Sequence, residues 1–135
     1  MKGRLMLLAL ASALVLAPIA AADVIRGTDG PDNLNGTAAA DLIYGRGGND
    51  IIRAHDGNDV MWAGAGADVQ YGGAGNDVLH ALANDNQPDV LDCGRGYDVA
   101  YVIVHDPVRL HGCEQVIRLS PEQAGAMAAA NDDNG

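Results

Sequence analysis

The chain has 135 residues, a net charge of −10, two Cys, one Trp and no Phe. This acidic balance argues against nucleic acid or anionic lipid as a partner, since both require a basic surface, and it favours cations. With so few large aromatic side chains, a conventional globular core is not expected, and the length allows one small domain.

Residues 1–22 have the pattern of an export signal. Two cationic residues precede an apolar stretch, Leu5 to Leu16, and small residues including Ala20 and Ala22 lead up to Asp23. This pattern predicts cleavage before Asp23. The alternative is an uncleaved membrane anchor, although the stretch is short for a spanning helix. Residues 23–135 would retain six Arg, no Lys and all 18 acidic residues, a net charge of −12.

After a short lead-in, residues 23–26, the chain repeats in units of nine from Gly27 to Tyr101. Six consecutive units are followed by the insertion Ala81–Ala83 and then by two more units. Position seven is aliphatic in every unit except at Asn33, and position eight is apolar except at Gln70. Position four is glycine in six units: Gly30, Gly48, Gly57, Gly66, Gly75 and Gly96. Position six is aspartate in all eight units: Asp32, Asp41, Asp50, Asp59, Asp68, Asp77, Asp89 and Asp98.

This pattern resembles the glycine- and aspartate-rich nonapeptide of the RTX, or hemolysin-type, calcium-binding repeat family. The resemblance implies an all-β, right-handed parallel β-roll of about four coils, with two nonamers in each coil. It also implies that each Ca²⁺ lies between the turns of adjacent coils, so that Asp residues 18 positions apart act together.

Elementary chemistry points to the same ion. Glycine permits tight turns that aim carbonyls inward, aspartate adds a hard anionic oxygen, and Ca²⁺ takes six to eight such oxygens. Stacked coils would hold the Asp carboxylates about 5 Å apart, at a repulsive cost of roughly 1 to 3 kcal/mol per neighbour. The alternative is that these Asp residues only form turns.

We expect four to six Ca²⁺ ions. The four stronger pairs are Asp32 with Asp50, Asp41 with Asp59, Asp50 with Asp68, and Asp59 with Asp77. Two weaker pairs, Asp68 with Asp89 and Asp77 with Asp98, have a spacing of 21 because of the insertion. The seventh unit has no glycine, and the second has Ala39 at position four, so their turns are expected to be weaker sites.

Position nine carries a series of rings in the even-numbered units. If position eight faces inward, position nine faces outward. Two interpretations remain open. In the first, the C-terminal segment packs on this face or the aromatic side chains simply suit strands; in the second, the face docks a protein or glycan partner. The rings belong to Tyr44, Trp62, His80 and Tyr101.

The last third of the chain is expected to close the solenoid. In an exported protein the default for Cys93 and Cys113 is a disulfide, which would fasten a cap made of residues 102–119. Residues 120–135 are expected to form a short helix, with Ser120 as its N-cap, and a frayed tail.

The sequence therefore predicts a secreted, extracellular calcium-binding protein with a structural, adhesive or docking role. No catalytic motif is present, and Ser120 is the only serine after residue 22. The alternative is an accessory or degenerate fragment of an RTX-type secreted enzyme, protease- or lipase-like, that lacks its catalytic domain.

Overall fold

Short parallel strands joined by turns form most of the chain that the structure describes, residues 21–131 of a computed structural model. The expected export signal lies almost wholly outside these residues. The strands are β1 (Val24–Arg26), β2 (Asn33–Asn35), β3 (Leu42–Tyr44), β4 (Ile51–Arg53), β5 (Val60–Trp62), β6 (Val69–Tyr71), β7 (Val78–Ala81), β8 (Asp89–Asp92), β9 (Val99–Ile103), β10 (Val108–His111) and β11 (Gln115–Leu119). One helix, α1 (Pro121–Asn131), follows.

The strands alternate between two parallel sheets. The odd-numbered strands form a six-stranded sheet in sequence order, and the even-numbered strands form a five-stranded sheet. Each strand pairs with the strand two further along. The register is 18 residues from β1 to β7, such as Leu42 opposite Val60, and it changes to 21, 19 and 16 residues in the pairs that involve β8 to β11. The predicted parallel β-roll is therefore confirmed.

The core lies between the sheets and is made mainly of position-eight side chains, joined by small residues such as Ala54 at position one. Ile43, Ile52, Met61 and Leu79 are fully buried there, and full burial of such a side chain is worth about 1.5 to 3 kcal/mol. Gln70 also points inward and is fully buried, and its amide nitrogen donates to the His80 carbonyl oxygen at 3.0 Å.

The solenoid has about five turns, not the four we expected. Residues 102–119, which we expected to cap the repeats, contain β10 and β11, and these strands pair in parallel with β8 and β9. They continue the coil because Val108 and Leu110 pack against the same core cluster as the repeat residues. The Cys93–Cys113 disulfide is present and joins this last turn to the preceding one.

Helix α1 packs on the outer face of the six-stranded sheet. Ser120 caps it reciprocally: its hydroxyl accepts the Gln123 amide at 3.2 Å, and its own amide donates to the Gln123 side chain at 3.0 Å. Fully buried Ala124 lies in a cluster with Leu82, from the three-residue insertion, and with Trp62 and Tyr101. Among residues 21–131, no helix is long and apolar enough to span a membrane.

The outward rings form a stack that this helix partly covers. The His80 ring lies 3.7 Å from that of Trp62 and 4.9 Å from that of Tyr101, centroid to centroid, with nearly parallel planes. Burial lowers the pKa of His80 to about 4, and its Nδ1 donates to the Met61 carbonyl oxygen at 2.9 Å. Of the two interpretations of this face, packing of the C-terminal segment is thus confirmed.

Candidate metal centre

The position-six aspartates form two files, one along each edge of the solenoid. In each file, one carboxylate oxygen accepts the backbone amide of the aspartate one coil earlier, at 2.7 to 2.9 Å. The chain thus stacks these residues as the spacing predicted, including the two pairs separated by 21. The first file contains Asp32, Asp50, Asp68 and Asp89, and the second contains Asp41, Asp59, Asp77 and Asp98.

The turns before the central aspartates use left-handed backbone at positions two and four. In the turn 63–68, Gly64 and Gly66 have φ of 94° and 128°. A Cβ on Gly66 would overlap the carbonyl oxygen of Gly48, its counterpart one coil earlier. Position four therefore needs glycine both for conformation and for the close approach of adjacent coils, whereas position two also accepts Arg46 and His55 with φ of 82° and 80°. The position-four carbonyls consequently face the next coil, where a cation could use them.

The second oxygen of most central carboxylates has no hydrogen-bond partner. This Oδ2 atom is buried and unpartnered in five residues of the files: Asp50, Asp59, Asp68, Asp77 and Asp98. A buried acceptor without a donor costs roughly 1 to 3 kcal/mol or more when charged. A cation is the partner that would remove this cost.

The space beside two of these oxygens is bounded by a second acceptor. A Cβ on Gly45 would lie 2.6 Å from Oδ2 of Asp50 and would also overlap the carbonyl oxygen of Ala63 in the next coil. Gly72 has the same relation to Asp77 and to the Cys93 carbonyl oxygen. Within residues 21–131, no three His, Cys, Asp or Glu side chains converge on one point. The donor set is therefore carboxylate plus backbone carbonyl, as Ca²⁺ accepts.

Burial changes the protonation of the files. It raises the pKa of Asp59, Asp68 and Asp77 to about 6. A backbone hydrogen bond to each carboxylate opposes this rise, and nearby carboxylates add a smaller contribution to it. The pKa of Asp50 and that of Asp98 are raised for the same first reason. The folded, metal-free protein thus disfavours charge at the positions where a cation would favour it.

The first two turns are built differently. At position two they carry Thr28 and Thr37, and neither these residues nor Gly30 has a positive φ. The Thr37 amide and hydroxyl donate to Oδ2 of Asp41 at 2.6 and 3.0 Å. Thr28 donates to Oδ2 of Asp32 in the same way, at 2.5 and 2.9 Å.

These hydrogen bonds reverse the electrostatics of the second turn. Burial of Asp41 raises its pKa, but hydrogen bonds from the Thr37 amide, the Asp23 amide and the Thr37 hydroxyl outweigh this and lower the pKa overall. The charged carboxylate is therefore satisfied by the protein itself. The threonines, which the sequence analysis did not weigh, close these turns without a metal.

In the glycine-free seventh turn, a side chain supplies the acceptors for backbone amides. Oδ2 of Asp85 accepts the Gly66 amide at 2.7 Å, and its Oδ1 accepts the Gln87 amide at 3.0 Å. Burial, together with the charges of Asp68, Asp85 and Asp106, raises the pKa of Asp89 to about 7. Four acidic groups thus influence one another at this end of the first file.

Position five adds a second ladder that the sequence analysis missed. The Oδ1 atoms of Asn49, Asn58 and Asn76 each accept the amide of the residue at the same position one coil later, at 2.8 to 3.0 Å. The recurrence of Asn immediately before Asp was the available signal. These bonds hold adjacent turns at a fixed separation.

A family comparison bears on the geometry described above. A model of the RTX calcium-binding nonapeptide repeat matches the chain in four overlapping copies, at residues 20–52, 35–70, 44–79 and 55–87. Searches of curated proteins and of solved structures found no match. The matched copies span residues 20–87, half of the chain, and contain both the threonine turns and the first glycine turns. The chain belongs to the RTX calcium-binding nonapeptide repeat family.

Proposed function

We propose that this calcium-binding repeat protein is exported and holds its ions at four positions between the turns of adjacent coils. In the first file these positions lie between the Asp50 and Asp68 turns and between the Asp68 and Asp89 turns. In the second file they lie between the Asp59 and Asp77 turns and between the Asp77 and Asp98 turns. The observation that carries the proposal is the set of buried Oδ2 atoms without a donor.

The two pairs that include Asp32 and Asp41 are weaker candidates than the sequence suggested. Their Oδ2 atoms already accept threonine donors, so a cation would have to displace hydrogen bonds. Conversely, the Asp77–Asp98 pair is a stronger candidate than the sequence suggested. The glycines of its two turns all have positive φ: Gly73, Gly75, Gly94 and Gly96. Four ions would supply a charge of +8 against the −12 of residues 23–135.

Binding and folding should be one equilibrium in the glycine turns. Each position is made of turns from two coils and exists only when the coils are stacked, so the binding free energy also stabilises the fold. The protein would thus be incompletely folded where calcium is scarce and rigid outside the cell, where calcium is plentiful. We assign it a structural or adhesive role, without catalysis.

A partner-docking role for the aromatic face remains a prediction. Helix α1 packs against Trp62 and Tyr101, so a partner would bind beside the helix, at Tyr44, or would have to displace it. Trp62→Ala should then lower stability as well as any docking, because the stacked rings support the helix.

The central experiment measures metal and fold together. Far-ultraviolet circular dichroism of residues 23–135 is recorded in EDTA and during titration with Ca²⁺, with bound ions counted by native mass spectrometry. We expect β structure to increase cooperatively in millimolar Ca²⁺ with four ions bound, and Mg²⁺ to substitute poorly because it requires tight octahedral geometry. Equal β content with and without EDTA, and no bound ions, would contradict the proposal.

A further inference from the structure

The second aspartate file does not end at Asp98. The Asp98 amide donates to Oε2 of Glu114 at 2.8 Å, as each earlier aspartate amide donates to the next aspartate. The residue after Glu114, Gln115, donates its amide to the Asp98 carbonyl oxygen at 3.0 Å. The residue after each earlier aspartate of this file makes the equivalent hydrogen bond to the coil before it. Glu114 therefore occupies position six of an abbreviated tenth unit, stacked on the eighth unit, which contains Asp98.

The abbreviated turn leaves the preceding glycine turn open. The Cys93 amide donates to the His111 carbonyl oxygen, so Gly112 stands at position one and the fifth turn has three residues instead of six. Gly96 is accordingly exposed, whereas its counterparts Gly57 and Gly75 are half-buried under the next coil. The face of turn 93–98 towards the end of the solenoid is thus accessible to solvent.

Beneath this open face lies an unsatisfied buried acceptor. Asp98 is 0% exposed and its Oδ2 has no hydrogen-bond partner, while its Oδ1 accepts the Asp77 amide from the coil below at 2.7 Å. The left-handed Gly94 and Gly96, with φ of 92° and 140°, are the cage positions of the central turns. The turn thus has the cage of an ion site and, above it, a carboxylate that the repeat pattern did not include.

We propose that Glu114 is the terminal acidic ligand of a further divalent-cation site, shared with Asp98 and the carbonyls of turn 93–98. This inference rests on the proposed function, since the ion is the Ca²⁺ of the repeats. The site is open to solvent on one side, and water completes its ligand set there. It therefore binds more weakly than the central positions and fills last.

The affinity of this site depends on whether the Cys93–Cys113 disulfide is formed. Cys93 is at position one of the turn beneath, and Cys113 immediately precedes Glu114. The bond consequently fixes the abbreviated turn over Asp98. Reduction frees that turn and lowers the affinity of the terminal site while leaving the central sites intact.

The test compares the only two glutamates of the chain. In Glu114→Gln the side-chain carbonyl can still accept the Asp98 amide, so the fold is retained and only the charge is lost. Glu122→Gln, on the exposed first turn of α1, is the matched control. Native mass spectrometry in saturating Ca²⁺ should show one ion fewer for Glu114→Gln than for wild type, and no change for Glu122→Gln. An equal count and equal affinity in all three proteins would overturn the terminal site.

A second measurement uses the wild-type protein. Glutamate labelled with ¹³C at the carboxyl carbon gives two signals, and the substitutions assign them. After circular dichroism shows that β structure is saturated, further Ca²⁺ should move the Glu114 signal and not that of Glu122, and a reducing agent should shift that step to higher Ca²⁺. A Glu114 signal that changes only together with folding would overturn the inference. A wild-type protein that binds no Ca²⁺ would instead contradict the proposed function.

Discussion

The threonine turns and the glycine turns solve the same problem in opposite ways. In both, an aspartate at position six must be buried where the coils stack. Thr37 supplies an amide and a hydroxyl to Asp41, whereas Gly73 and Gly75 leave Oδ2 of Asp77 buried and without a donor. We therefore expect that an aspartate in register is not enough to make a metal site, and that the donors or acceptors of the turn before it decide whether it binds a metal.

The largest expected effect is a steric loss of stability. It should follow substitution of the position-four glycine in a glycine turn but not in a threonine turn. Gly75→Ala combines left-handed strain with overlap on the Gly57 carbonyl oxygen, so it should cost roughly 3 kcal/mol or more. Gly30→Ala, whose added Cβ would meet nothing closer than the Thr28 hydroxyl at 3.8 Å, should be nearly neutral. Thermal unfolding in saturating Ca²⁺ should show a fall in Tm of about 10 to 20 °C for the first. Similar Tm values for both variants would show that the two turns do not differ as described.

The next effect is on the number of ions. Asp77 belongs to two of the four proposed positions, so Asp77→Asn should remove two ions from the count by native mass spectrometry. Asp41→Asn should remove none, because its carboxylate is satisfied by Thr37. Asparagine preserves the Oδ1 acceptor for the amide one coil earlier, which isolates the charge. Loss of ions from Asp41→Asn would place calcium in the threonine turns.

In the absence of metal, protonation should stabilise the glycine turns but not the threonine turns. The pKa of Asp59, Asp68 and Asp77 in the fold is about 6, above the ordinary value of 3.8, so the folded state binds more protons than the unfolded state between these values. Stability without metal is therefore greatest below about pH 4 and is lost as the pH rises through about 6. Circular dichroism in chelator should show more β structure at pH 4 than at pH 7.5.

Calcium should reverse this dependence, because Ca²⁺ requires the deprotonated carboxylates and binds better as the pH rises through 6. Amide hydrogen exchange can resolve the regions. The Asp41 turn, with its lowered pKa, should not gain protection on acidification. Uniform gains along the chain would contradict the distinction.

The smallest effect belongs to the threonine turns themselves. Thr37→Val keeps the side-chain shape but removes the hydroxyl that bonds Asp41 and the Ala39 amide. We expect a loss of about 1 to 2 kcal/mol in denaturant unfolding with Ca²⁺ present, and no change in the ion count. Thr37→Ser, which retains the hydroxyl, is the control. A gain of one ion in Thr37→Val would indicate that threonine excludes a cation from a site that could otherwise bind it.

The sequence by itself determined the repeat unit, the two files of aspartate, the inward side chains and the partnership of Cys93 with Cys113. The first three follow from a period of nine, because each unit places equivalent residues at equivalent points of a coil. The disulfide follows from the presence of only two Cys in a chain expected to be exported. The sequence did not determine where the coil ends, because the period is broken after Tyr101. Gln115–Leu119 lack the nonapeptide pattern, yet they pair with β9 and extend the solenoid. The unpaired edge of β9 and the apolar core at the end of the repeats favour pairing with the strand that follows.

Only the tertiary structure decided which aspartates have donors and which do not. Oδ1 of Asp98 is bonded to a residue 21 positions away, and its amide to Glu114, 16 positions away. Such partners depend on how coils stack and not on neighbours along the chain. The same holds for helix α1, whose Ala-rich sequence is hardly amphipathic. Its position is determined by the surface against which it packs, formed by Trp62, Leu82 and Tyr101. Local sequence specifies the turn, but the coil above and the coil below determine whether its carboxylate is satisfied.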